Sequence, residues 1–205
     1  LVRDGRLDDL KNGPLYWIDS SDFGPTTATA GMALWRIIVS GKASHSGFPQ
    51  SGINAVELAN EVIRSLQEWF YAHYPAHPNE KGYGFVCPSS LKPTRVTVEN
   101  DTLTKIPAKV VIEGDVRLTP WYDPAKVKEA MNDFLRNLSI DQLPPVGPAS
   151  YSVEGEVGTA TFDLLGTASG GMACDRNSDG YAALERAIVS VVPDSRPIAM
   201  TGTLP

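Results

Sequence analysis

Histidine and cysteine are scarce in this 205-residue chain, which holds three of the first and two of the second. Cys87 and Cys174 lie too far apart for a disulfide framework or a metal-ligand spacing, and they read as free thiols of a reducing compartment. His73 and His77 have the i, i+4 separation of some zinc sites, but Pro75 breaks the helix that would align them. No third ligand is near, so no metal site is expected within the chain. No apolar run reaches the roughly 18 residues that a membrane helix needs, so no membrane is expected as a partner. No basic run occurs, and 18 basic against 24 acidic residues leave a net charge of −6, which argues against nucleic acid as a partner. Internal repeats and low-complexity tracts are also missing. The first residues, Leu-Val-Arg-Asp-Gly, are neither a signal peptide nor an initiator methionine. The last run stops abruptly at Pro205, so the chain is expected to be cut from a longer, cytoplasmic one.

What is present is ordinary for a globular protein, with 42% hydrophobic and 20% charged residues. The one concentrated feature is residues 41–54, which leave a strand, turn through Gly41, Gly47, Pro49 and Gly52, and enter a long helix. This turn carries His45 between Ser44 and Ser46. It reads either as a loop histidine bonded to a neighbouring hydroxyl or as a ligand-facing group that glycines let a ligand approach.

Around that turn the periodicities alternate. Residues 15–18 read as a short buried strand and 20–29 as a loop. Residues 31–42 are a strand whose apolar content on both faces predicts that both are covered. Ala55, Val56, Ala59, Val62, Ile63, Leu66, Trp69 and Phe70 recur at helical spacing, with Ser51 as cap and Pro75 as terminator. Residues 78–92 read as irregular, 94–98 as a strand and 109–119 as another. That last strand lines up Glu113, Asp115 and Arg117 on one face. Such a row is either a solvated, paired face or an arginine held by Asp115 to meet a carboxylate. Asp123 and Pro124 open a second helix. Residues 151–158 are extended, 159–165 a strand, and 166–171 a flexible connection. A third helix over 178–192 and a strand at 197–200 close the pattern.

Between 31 and 165 the order is strand, helix, strand, strand, helix, strand. This is the βαββαβ order of a ferredoxin-like sandwich, an α+β fold with an antiparallel sheet and two helices on one face. Residues 1–24 and 171–205 are expected to be fragments of a second, α/β domain, from which 25–170 protrude.

Gly-Lys-Ala-Ser-His-Ser-Gly at 41–47 is followed by Gly-Ile-Asn-Ala at 52–55, Lys-Ile-Pro at 105–107 and Gly-Asp-Val-Arg-Leu-Thr-Pro at 114–120. In that order these resemble the M20 family of zinc amidohydrolases. The flanks at 13–20 and 201–205 resemble the branch of that family that deacetylates N-acetylornithine. The resemblance implies a lid and dimerisation domain, 25–170, set into a metal-dependent amidohydrolase that releases acetate and ornithine in arginine biosynthesis. It implies a homodimer, and a substrate of the N-acetyl amino acid class. His45 matches the lid histidine that stabilises the oxyanion in the partner subunit's site, and Arg117 the arginine that holds the substrate carboxylate. Asn54 matches a lid asparagine and Gly202 a glycine that lines the substrate site. The family's zinc (or cobalt) ligands and paired glutamates have no matching segment here, so the chain alone is expected to hold no cofactor and to be inactive. Thr104 stands where the family usually has asparagine, and Ala108 where it often has glycine. A reading from another class is a non-catalytic ferredoxin-like module for dimerisation or small-molecule sensing.

Overall fold

The computed structural model describes residues 4, 5, 8, 13–16, 18, 24–100 and 102–201. In chain order these contain β1 (Thr26–Thr29), β2 (Gly31–Ser40), β3 (Ser44–His45), α1 (Ala55–His73), α2 (Pro78–Tyr83) and β4 (Ser90–Val98). Next come β5 (Lys105–Ile106), β6 (Lys109–Leu118), α3 (Pro124–Arg136), β7 (Ser152–Val153) and β8 (Glu156–Val157). The last elements are β9 (Thr159–Ser169), β10 (Met172–Ala173), α4 (Asp179–Val191) and β11 (Ile198–Met200).

The central sheet runs β4-β6-β2-β9, and every neighbouring pair in it is antiparallel. Counting only these strands and the two helices between them, the order in space is second, third, first, fourth. This is the ferredoxin-like arrangement that the sequence predicts. Both helices pack on one face: α1 against β2, β4 and β6, and α3 against β2 and β9.

The reason is the match of two periods. Along β2, Ala33, Trp35, Ile37 and Val39 alternate with more exposed residues and are 0–3% exposed. Opposite them on β6 stand Val116, Gly114, Ile112 and Val110 in the same register. Leu58, Val62, Leu66 and Phe70 recur along α1 at helical spacing, and all are fully buried against that face. Val127, Met131 and Leu135 do the same for α3.

The cap of α1 differs from the expected one. Asn54 Oδ1, not Ser51, accepts from Val56 N–H at 3.0 Å, while 49–51 form a separate 3₁₀ turn. Asp123 caps α3 as expected, accepting from Ala125 N–H at 2.9 Å.

Several other expectations are corrected. Residues 78–92 are not irregular throughout: Pro78 starts α2 with His77 as its cap, and β4 begins at Ser90. The run at 166–169 is not a connection, because β9 continues to Ser169, which pairs with Met32 across a register shift. Gly166 accommodates this with a left-handed φ of 74°. The loop expected at 20–29 holds β1, which pairs with β10 and β11 in a three-stranded sheet apart from the central one. Leu15, Tyr16 and Ile18 form no strand and are exposed, while Trp17 lies outside the described residues. Finally, the second face of β2 is not covered by any described element, and Leu34 is 45% exposed there. On this face Leu34 stands opposite Asp115 of β6, and Arg36 opposite Glu113.

Candidate active-site elements

His45 lies in β3, paired antiparallel with Lys105 of β5. The turn beyond it is closed by Phe48 N–H donating to His45 O at 2.9 Å, and Ser46 N–H donates to Thr104 O at 2.9 Å. The imidazole is exposed. Gly47 N–H donates to its Nδ1 at 3.0 Å, and the Phe48 ring stands 5.8 Å away, tilted by 57°. Thr104 therefore supports this turn through its carbonyl, and its hydroxyl is taken up by Thr102 Oγ1 at 3.1 Å. The serines flanking His45 do not bond its ring; Ser44 Oγ turns to Phe48 O at 3.4 Å.

Asn54 is half-buried at the head of α1, where capping occupies its oxygen and its Nδ2 donates to Glu57 Oε1 at 3.1 Å. With Gly52, Glu57 and Ile106 it lines a cavity of about 60 Å³. Small-molecule sites run to several hundred Å³, so this cavity does not hold an amino-acid derivative.

Arg117 lies on the helix-free face of β6, flanked across the sheet by Met32 of β2 and Ser90 of β4. Its Nε donates to Asp115 Oδ2 at 2.6 Å, and both side chains are partly exposed. One row along, Glu113 accepts from Arg36 at 2.7 Å and pairs also with Arg95. Arg36 stands opposite Glu113 on β2, Arg95 opposite it on β4, and Asp163 of β9 opposite Arg36. The signs thus alternate across all four strands. The hydrogen bond from Arg36, then that from Arg95, holds the Glu113 carboxyl below its ordinary pKa. This face carries both of the alternatives that the sequence left open: a paired row at Glu113, and an arginine oriented by its neighbouring aspartate.

The structure does not bring His45 and Arg117 together within one chain. Arg117 sits opposite Met32 at the start of β2, whereas His45 lies past Ser40 at its end. Met32 to Ser40 alone spans about 26 Å at strand rise. That already exceeds the length of an N-acetylated amino acid. Gly202 lies outside the described residues.

Among the described residues no group of three His, Cys, Asp or Glu side chains could hold a metal ion. His73 Nδ1 lies 2.8 Å from Trp69 O, and His77 caps α2 and stacks on Trp121 at 5.2 Å. Cys87 and Cys174 are exposed free thiols. A larger cleft of about 540 Å³ opens between α2 and 175–185. Arg176 lies over the Tyr83 and Tyr181 rings there, 6.0 and 5.9 Å from their centroids, and donates to Gly82 O. Sequence reasoning had no signal for that contact, nor for the second arginine on Glu113, because both join residues far apart in the chain.

Comparison with known proteins gives this geometry a family. Acetylornithine deacetylase of Arabidopsis thaliana is 40% identical over 213 residues, covering 100% of this chain and 48% of the relative. Acetylornithine deacetylase of Dictyostelium discoideum is 38% identical over 214 residues, again covering 100% of this chain and 48% of the relative. The chain thus spans about half the length of the curated relatives it matches. Among solved structures, a tripeptidase from Staphylococcus aureus superposes with a TM-score of 0.58 at 14% identity, covering 89% of this chain and 41% of that one. The likeness at that identity is one of fold. Residues 27–142 match the M20 peptidase dimerisation domain, and the chain belongs to that family.

Proposed function

We propose that this chain is the lid and dimerisation part of a metal-dependent deacetylase acting on N-acetylornithine, in the cytoplasm, as a homodimer. The observation that carries this reading is the 38–40% identity over the whole chain to two acetylornithine deacetylases. In this reading 25–170 are the lid, and 1–24 and 171–205 belong to the flanking catalytic domain. The three-stranded sheet of β1, β10 and β11, separate from the central one, supports a second structural unit, and it draws β1 from the first residues of the 25–170 range. The metal, zinc or cobalt, belongs to the rest of the enzyme, because the described residues do not fit one.

The chain's own residues take two roles. Arg117, oriented through Nε by Asp115, presents its remaining N–H groups to the substrate carboxylate, in the fork geometry that suits planar anions. A ring N–H of His45 donates to the carbonyl oxygen of the acetamide as negative charge develops on it. The distance between the two within one chain favours a site that takes Arg117 from one protomer and His45 from the other. Asn54 and Gly202 belong to the substrate surroundings in this reading. Asn54 acts mainly through the helix start that carries the turn, since both of its polar groups are engaged.

Subunit mixing tests this in the full-length enzyme. His45→Ala subunits are combined with subunits inactivated at the metal site, and activity is measured on N-acetylornithine. Recovery in a verified heterodimer is the expected result, since one of its two sites then pairs an intact metal centre with an intact His45. No recovery in a verified heterodimer overturns the action of His45 across the interface, and a normal kcat in the His45→Ala homodimer overturns any catalytic role for it.

A further inference from the structure

We infer that Gly47 is a positioning residue for His45, fixing its imidazole as the tautomer that carries its proton on Nε2. The inference rests on the reading of His45 as a hydrogen-bond donor and specifies which atom donates.

One hydrogen bond selects the tautomer. A backbone N–H can only donate, so the His45 Nδ1 that receives Gly47 N–H at 3.0 Å is the unprotonated nitrogen of the ring. A neutral imidazole then carries its proton on Nε2. His45 is exposed, and no described residue is recorded as a partner of its Nε2. The donor therefore faces outward, where an acceptor from outside the chain can reach it. With the opposite tautomer two N–H groups would face each other across 3.0 Å, and Nε2 would present a lone pair to a carbonyl oxygen.

The lack of a side chain at 47 is part of the device. A Cβ there would stand 3.1 Å from Nδ1 of His45, tighter than most contacts, and 3.4 Å from Cε1. The ring would have to give by a few tenths of an ångström, which loosens its bond to the backbone N–H that selects its tautomer. The rest of the turn is tied independently, by Ser46 N–H to Thr104 O, by Phe48 N–H to His45 O and by the β3–β5 pair. Crowding at 47 therefore moves the ring and leaves the turn in place.

The test labels the histidines of the chain with ¹⁵N and assigns the tautomer of His45 from its two nitrogen shifts, at a pH where the ring is neutral. His73 and His77 serve as internal references. The expected result is an unprotonated Nδ1 and a protonated Nε2 in the wild type, and a mixture of tautomers in Gly47→Ala. Gly47→Pro, which removes the N–H itself, gives the same readout should the alanine variant fold poorly. In the full-length enzyme Gly47→Ala should lower kcat by roughly 10²-fold with KM little changed, as expected for a misplaced donor. A proton on Nδ1 in the wild type overturns the inference. So do a tautomer ratio and a kcat that are both unmoved by Gly47→Ala. A His45→Ala enzyme with normal kcat overturns instead the donor role on which the inference rests, while the tautomer measurement stands apart from it.

Discussion

Trp35 of β2 and Gly114 of β6 stand directly opposite each other, and the missing side chain of the glycine is the space that the indole fills. A Cβ at 114 would come 2.5 Å from Trp35 Cζ2 and would also strike the Lys92 carbonyl on the next strand. Trp35 is completely buried and sits at the centre of the face that receives α1 and α3. Replacing Trp35 by alanine should cost about 3–5 kcal/mol, the usual range for emptying a large aromatic site. Gly114→Ala should cost about 1–3 kcal/mol from the opposite cause, overpacking. Urea unfolding of both variants checks the pair, and a Gly114→Ala chain as stable as the wild type would contradict this packing.

Asn54 separates a structural from a functional role. Its side chain caps α1, so Asn54→Ala should lower stability by about 1 kcal/mol. Asn54→Ser retains a capping oxygen and should recover most of that loss. Kinetics of the same two variants in the full-length enzyme then decide the matter. If Asn54 acts through the cap, activity follows stability; a serine variant that is stable yet slow would show a direct contact with substrate.

The charged row on the helix-free face gives a pH dependence whose sign is fixed. The Glu113 carboxyl is held below its ordinary pKa by Arg36 and then by Arg95. Its contribution is therefore complete above the pKa it has in the unfolded chain. It is lost as pH falls through the lower, folded value. Lys42 behaves in the opposite sense. Glu154 and then Glu156 raise its pKa, so its contribution is complete below the unfolded lysine value and is lost as pH rises through the folded one. Unfolding midpoints across pH should show Glu113→Gln flattening the acid limb and Lys42→Met flattening the alkaline limb. A Glu113→Gln chain that keeps the wild-type acid limb would show that the two arginines do not stabilise its ionised form.

The His45 side chain is exposed, and among the described residues its ring bonds only the Gly47 N–H, so His45→Ala should leave stability within about 0.5 kcal/mol. In the full-length enzyme the same change should lower kcat by roughly 10²- to 10³-fold, the size expected for one oxyanion donor. Thermal unfolding and steady-state kinetics on one preparation check the contrast.

As a member of the peptidase dimerisation family, the chain should sediment as a two-fold dimer at micromolar concentration. Monomer alone at high micromolar concentration would remove the basis for a site shared between protomers.

By itself the sequence determined the elements whose signal is local. Alternation in β2 and β6 and helical spacing in α1 and α3 are visible because each strand or helix buries one face and shows it at its own period. The cap at Asp123 was legible for the same reason, since donor and acceptor lie two residues apart. The turn at 41–54 was legible as motif, and with it the family and the candidates His45 and Arg117. The tertiary structure alone decided what depends on pairing between distant residues. Register placed Arg36 opposite Glu113, 77 residues away, and the turn of β4 brought Arg95 to its other side. Pairing with β2 carried β9 past Gly166, where local composition reads as a loop. Pairing with β10 and β11 likewise made a strand of 26–29. The long antiparallel ladder of β2 and β6 put His45 and Arg117 at opposite ends, since two residues that close one motif list can be separated by the full length of a strand. The Gly47 hydrogen bond belongs to the same class: its residues are adjacent in sequence, but the ring meets the N–H only once Thr104 and Lys105 hold the turn in shape.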